Sequence, residues 1–188
     1  MEIRELSDQD FAVRLKETAL KDGVYSNEFS RYANELFNRY HQQGYNIARY
    51  YGLKHDDAMD SVQSAFIKTF HSIKRYDPGR PLKPWFFKIV LNCVRDKFKE
   101  LRRTRHEKID KAENFTKEIF EEFHIRESIN GIISILPEKL KSVVLLRVYG
   151  DMDFDSISLI VGVSVRQLHN RLKEAYGMIE KKLNEGDG

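Results

Sequence analysis

The sequence predicts an all-α protein of two small helical domains joined by a linker, the C-terminal one a helix-turn-helix. Three observations predict it. Apolar residues recur at i, i+3/i+4 spacing along most of the chain, and no segment of useful length alternates in the manner of a strand. Pro and Gly number only 4 and 10 among 188 residues, too few for a loop-rich β protein. Between two such periodic stretches, residues 104–127 carry seven Asp/Glu, more than their Lys/Arg, and only scattered apolar side chains.

Residues 1–24 form an N-terminal extension holding a short helix, opened by Ser7 or Asp8 as N-cap and closed near Gly23. The first domain spans 25–103. Its opening helix covers 25–53 on Phe29, Ala33, Leu36, Phe37 and Tyr40, with a break expected at Gly44 and a C-cap at Gly52. A second helix covers 55–74 on the stripe Ala58, Val62, Ala65, Phe66, Thr69, Phe70 and Ile73. Asp77–Pro84 holds three prolines and Gly79 and is a loop, with Pro84 suited to the first turn of a helix running from Trp85 to Arg103. Residues 104–127 are the linker. The second domain, 128–185, contains helices at 128–135, 138–149, 153–161 and 165–183.

Lys+Arg total 32 and Asp+Glu 29, so the formal net charge is +3. Position sorts this small excess. Residues 66–105 carry twelve Lys/Arg against three acids, residues 54–60 three Asp against one Lys, and residues 164–182 five bases against two acids. Basic blocks interleaved with Tyr76, Trp85, Phe86, Phe87 and Phe98 suit nucleic acid, because cations neutralise phosphate and rings stack on unpaired bases. A solvated helix face of long side chains is the plainer alternative.

The same composition excludes other classes. Cys93 is the single cysteine, which rules out an intramolecular disulfide framework and a multi-cysteine zinc cluster, and its place on an apolar stripe suits a buried small hydrophobe. The longest uncharged runs have 10 residues, short of the roughly 18 a membrane span needs, and the acidic start is unlike a secretory signal, so a cytoplasmic protein is expected. The six histidines show no metal-ligand spacing, and no nucleophile–base set or Gly-rich phosphate loop is present. The sequence therefore predicts no metal, no cofactor and no enzymatic activity. Asp56, Asp57 and Asp60 are read as a docking or solvated face, and Trp85 as packing in the core, shaping a DNA pocket, or both.

The segment Asp153–Ser164 followed by Val165–Ala175 has the parts of a helix-turn-helix. Ile157, Leu159, Ile160 and Val161 serve a short first helix, small Ser158 allows close approach, Gly162 turns the chain and Ser164 caps the next helix. A 100° step puts Val165, Leu168, Leu172 and Ala175 on one face and Arg166, Asn170 and Lys173 opposite, flanked by Gln167, His169 and Arg171. Arg suits guanine, Asn and Gln suit adenine, and Lys suits phosphate. An ordinary amphipathic helix pair is the alternative.

Three motifs in this order resemble the bacterial sigma factors of the extracytoplasmic function (ECF) type, in the sigma-70 family, over residues 30–185. The first, Asp57-Ala-Met-Asp-Ser-Val-Gln-Ser-Ala-Phe66, is similar to that family's D-A-x-D-x-x-Q-x-x-F. The second runs from Asp77 through Trp85-Phe-Phe-Lys-Ile-Val-Leu-Asn92, and the third joins Leu136-Pro137, Val144–Arg147 and the helix-turn-helix. The resemblance implies that Asp56, Asp57, Asp60, Gln63 and Phe66 dock on the β′ coiled coil of core RNA polymerase, with the β flap as a further contact. It implies that Lys74, Arg75, Tyr76, Arg80, Lys83 and Trp85 hold a flipped base of the promoter −10 element, and that Lys88, Asn92, Arg95 and Lys99 meet adjacent bases and phosphates. Arg166, Gln167, His169, Asn170, Arg171 and Lys173 would read the −35 duplex, and the acidic linker would thread a basic channel of the polymerase. An anti-sigma factor, often membrane-anchored in the family, is an implied partner. Met59 and Ser61 depart from the family pattern, as do His169 and Asn170 and the absence of Gly-Thr before the recognition helix, so no promoter sequence carries over. A free-standing helix-turn-helix regulator, needing neither the Asp57–Phe66 face nor the basic loop, is the alternative function.

Overall fold

The computed structural model describes residues 2–109 and 129–186, and among these the secondary structure is helical, with no strand. Helix α1 (Asp8–Lys21) starts where Ser7 Oγ accepts the Asp10 N–H at 3.1 Å, leaving Phe11, Ala12, Leu15 and Ala19 as its buried stripe. Helix α2 (Asn27–Tyr51) is capped by Ser26, whose Oγ accepts the Phe29 N–H, and ends at Gly52 with φ +119°. The break expected at Gly44 is absent. A Cβ there would sit 3.6 Å from Val62, ordinary contact distance, so Gly44 marks the crossing of α2 with the next helix rather than an interruption.

Helix α3 (His55–Ser72) buries Ala58, Val62, Ala65, Phe66 and Thr69, as the stripe predicts. A 3-10 turn, Ile73–Arg75, leads into the proline loop, and helix α4 (Leu82–Ile109) takes Pro84 into its first turn, where the missing N–H costs nothing. Helix α4 is longer than expected at both ends. It runs past Arg103 to Ile109, into the segment expected as linker, and residues 110–127 of that segment lie outside the described residues. Phe86, Phe87, Val90 and Leu91 of α4 are fully or almost fully buried, each contributing roughly 2 kcal/mol of apolar burial.

The second domain comprises α5 (Ile129–Ser134), α6 (Glu138–Val148), α7 (Phe154–Val161) and α8 (Val165–Gly186). In α6, residues 140–146 are all buried, on every side of the helix. Its position explains this: α8 and α7 cover one side and α2 of the first domain the other. Helix α7 in turn packs on α4, so buried residues of both domains form a single continuous cluster. Among the described residues no helix is long and apolar enough to cross a membrane.

Candidate nucleic-acid interface

Three surfaces carry the residues singled out by sequence. The first is the exposed side of α3. Asp56, Asp60 and Gln63 are exposed, and Asp57 pairs with Lys97 of α4 at 3.3 Å. Hydrogen bonding to Asp57 raises the Lys97 ammonium pKa against the opposing cost of partial burial. Between α3 and α4 lies a groove of about 430 Å³ lined by Asp60, Gln63, Ile67, Lys68, Cys93 and Lys97. Phe66 does not share this face. It is only 5% exposed, with its ring against Phe37, Phe70 and Phe86, so it supports the helix from beneath. Burial pushes the Cys93 thiol up, away from reactivity.

The second surface is the loop after α3 and the polar side of α4. Lys74, Arg75, Arg80, Lys88, Asn92 and Lys99 are exposed, and Trp85 is half-buried with its ring 4.6 Å from that of Tyr76. Tyr76 itself is 2% exposed and its hydroxyl donates to the Arg80 carbonyl, so the ring closes the loop and offers no open face to a base. Burial, with the nearby Asp77 and Asp8 charges, holds its phenol up to about 12. Two more basic residues are turned to the second domain. Lys83 Nζ donates to the Asp151 carbonyl at 3.0 Å. Arg95 Nε lies 2.9 Å from Glu138 Oε1, and its Nη2 donates to Ser142 Oγ at 3.0 Å.

The third surface is α8. Leu168, Leu172 and Ala175 are buried, while Arg166, Gln167, His169, Asn170 and Lys173 are exposed and Arg171 half-exposed. Two of these side chains already have structural partners. Gln167 Oε1 accepts the Ser164 N–H at 3.1 Å while Ser164 Oγ accepts the Gln167 N–H at 3.3 Å, a reciprocal cap. The His169 ring stacks on Phe154 at 4.2 Å. Gly162 turns with φ +71°, and Ser158, expected only as a small residue, donates its hydroxyl to the Val163 carbonyl at 2.6 Å and stitches the turn. Arg166, Asn170 and Lys173 remain as the outward set.

An acidic helix face, a basic loop-and-helix and a helix-turn-helix thus stand in one chain. Residues 36–104 match sigma-70 region 2, a span from mid-α2 through the loop and most of α4. The chain carries a sigma-70 region 2. The chain is 26% identical over 149 residues to the RNA polymerase sigma factor SigV of Bacillus subtilis, an alignment covering 78% of this chain and 87% of SigV. It is 25% identical over 190 residues to the ECF RNA polymerase sigma-E factor of Haemophilus influenzae, covering 92% and 97% of the two. Its fold is similar to that of CnrH solved in complex with the cytosolic domain of CnrY, with a TM-score of 0.70 at 21% identity, covering 95% of this chain and 97% of that one.

The region 2 match begins at residue 36 and so leaves out the N-terminal extension, to which sequence assigned no role. In the structure α1 packs on α2, on α4 and on the turn before the proline loop. The Lys97 partner of Asp57 was also missed. The i, i+40 spacing of the two residues carries no sequence signal.

Proposed function

We propose that this chain is a promoter-specificity subunit of bacterial RNA polymerase, acting in transcription initiation. The match of residues 36–104 to sigma-70 region 2 carries the proposal, and it joins the acidic and the basic surfaces in one unit. The exposed Asp56, Asp60 and Gln63, with Asp57 held by Lys97, form the polymerase-docking face toward the β′ coiled coil, and Phe66 shapes it from within. Lys74, Arg75 and Arg80 meet the phosphates of the −10 strand, Trp85 provides the half-open ring for an unpaired base, and Lys88, Asn92 and Lys99 continue the track along α4. Arg166, Asn170 and Lys173 enter the major groove of the −35 element, with Arg171 at the flank. Residues 25–103 and 128–185 are the two functional units, and 104–127 the tether between them.

Lys83 and Arg95 belong to the DNA track by position but hold the second domain in this arrangement. The structure described is accordingly the closed form, and the domains part when polymerase and promoter are engaged. An anti-sigma factor is the partner that would keep such a protein inactive in the cell, at the inner membrane where that factor is anchored. The test is transcription: purified chain with core polymerase and a panel of bacterial promoters yields promoter-dependent transcripts. No transcript, together with tight duplex binding by the chain alone, would replace this function with that of a free-standing regulator.

A further inference from the structure

The N-terminal segment, which includes α1, is fixed to the body by polar contacts to Arg39 and Tyr40. Arg39 of α2 donates to Asp8 at 2.8 Å, to Glu35 at 2.9 Å and to the carbonyls of Ile3 and Leu6 at 3.2 and 3.0 Å. Burial works against the Arg39 charge, but the hydrogen bonds to Glu35 and Asp8 outweigh it and hold its pKa above the ordinary value. Tyr40 donates its hydroxyl to the second oxygen of Asp8 at 2.8 Å. Phe11, Ala12, Leu15 and Ala19 close the apolar side.

The same helix reaches the proline loop. Lys16 Nζ donates to the carbonyl of Tyr76 at 2.7 Å in a partly buried site, and Gln9 Nε2 donates to the carbonyl of Pro78. Gln9 and Lys16 are seven residues apart, two turns on one stripe of α1. Within the loop, Asp77 Oδ1 accepts the Gly79 N–H at 2.9 Å, the Asp77 carbonyl accepts the Arg80 N–H at 3.0 Å, and Tyr76 closes onto the Arg80 carbonyl. The loop's inward carbonyls are therefore taken by α1 and by its own side chains. Lys74, Arg75 and Arg80 are left pointing to solvent.

We propose that α1 is the brace of the strand-capture loop, with Lys16 and Gln9 as positioning residues that set its backbone before DNA arrives. The inference rests on the loop being the −10 binding element, as argued above. A loop ordered in advance spares the bound strand the entropy of ordering it, so the brace acts on affinity for unpaired DNA and not on polymerase docking, which lies on α3. Lys16→Met keeps the apolar stem and removes the donor, Gln9→Ala removes the second, and Lys16→Arg retains a donor at nearly the same reach.

The measurement is the Kd of the reconstituted holoenzyme for a fluorescent single-stranded −10 oligonucleotide, alongside its affinity for core polymerase and the melting temperature of the free chain. Each lost hydrogen bond should weaken oligonucleotide binding about fivefold, and the double variant tenfold or more, with polymerase affinity and melting temperature unchanged and Lys16→Arg near wild type. Unchanged oligonucleotide binding by the double variant overturns the brace. So does a loss that appears only together with lower polymerase affinity and a lower melting temperature, which would make α1 a stabiliser of the fold alone. A wild-type holoenzyme that captures no strand removes the proposed function itself, and the brace with it.

Discussion

Asp153 shows how one side chain sets the geometry of the helix-turn-helix. Its Oδ1 accepts the Ser156 N–H at 2.7 Å, filling one of the donors that the first turn of α7 leaves open. Hydrogen bonds from the Ser156 backbone and side chain hold its pKa below the usual 3.8. A carboxylate with a depressed folded pKa contributes stability that is present above the unfolded value and is lost as pH falls through the folded one. Asp153→Ala should therefore cost about 1 kcal/mol at neutral pH, and the gap to wild type should shrink below about pH 4. Urea denaturation at pH 7 and pH 3 measures both, and an equal gap at the two values would show that the carboxylate charge contributes nothing to the cap. Gly44 makes a complementary case. Because a Cβ there meets Val62 only at 3.6 Å, Gly44→Ala should raise the urea midpoint, by up to about 1 kcal/mol of helix propensity. A lower midpoint would mean that the α2–α3 crossing is tighter than this distance implies.

At the scale of elements, α3 separates a packing face from the face proposed for docking. Phe66, Val62 and Ala65 look inward, and Asp56, Asp60 and Gln63 look outward, so a surface charge reversal leaves the core intact. Asp60→Lys should weaken binding to core polymerase at least tenfold, because a like charge now faces a basic partner surface, while duplex binding by the second domain is untouched. Titration of core polymerase measures the first and a −35 duplex the second, and unchanged polymerase affinity would move the docking face elsewhere. The same division explains what was legible in the sequence. The stripe of α3, the caps Ser7 and Ser164, and the turns at Gly52 and Gly162 depend on residues within a few positions of each other, and they were read correctly. The motif gave Phe66, already on the buried stripe, a docking contact and Tyr76 a base contact, but a motif gives order along the chain and not which side of the helix or loop meets water. Only the packing of α2 and α4 settles that both rings are buried. The Asp57–Lys97 pair, the Lys16–Tyr76 bond and the continuity of α2 through Gly44 arise where separate helices cross, and no local pattern announces such meetings.

For the whole molecule, the decisive feature is that its two domains face one another across part of the basic surface. Arg95 meets Glu138 and Ser142, Lys83 meets the Asp151 carbonyl, and the rings of Tyr50 and Tyr149 stack at 3.9 Å. Lys141 lies over the rings of Tyr51 and Phe98 at 5.5 and 5.8 Å, and burial lowers its pKa, which makes its charge a cost to the closed form. These contacts are individually weak: about 0–1 kcal/mol for a partly exposed ion pair and about 0.5–1.5 for a stacked aromatic pair. These terms add to the apolar contacts that α6 and α7 make with the first domain, and on the proposed function the closed form gives way when polymerase binds both domains. Substitutions on the second domain test this without touching the DNA track. Glu138→Ala with Tyr149→Ala should remove about 0.5–2.5 kcal/mol from the interface, raising the open population by roughly two- to seventyfold. The free double variant should then show a larger radius of gyration by small-angle scattering and bind single-stranded −10 DNA more tightly than wild type, because Arg95 is released to the strand. If the radius grows and DNA affinity stays the same, the interface closes the molecule without masking its basic face. If neither changes, the apolar contacts of α6 and α7 hold the domains together by themselves.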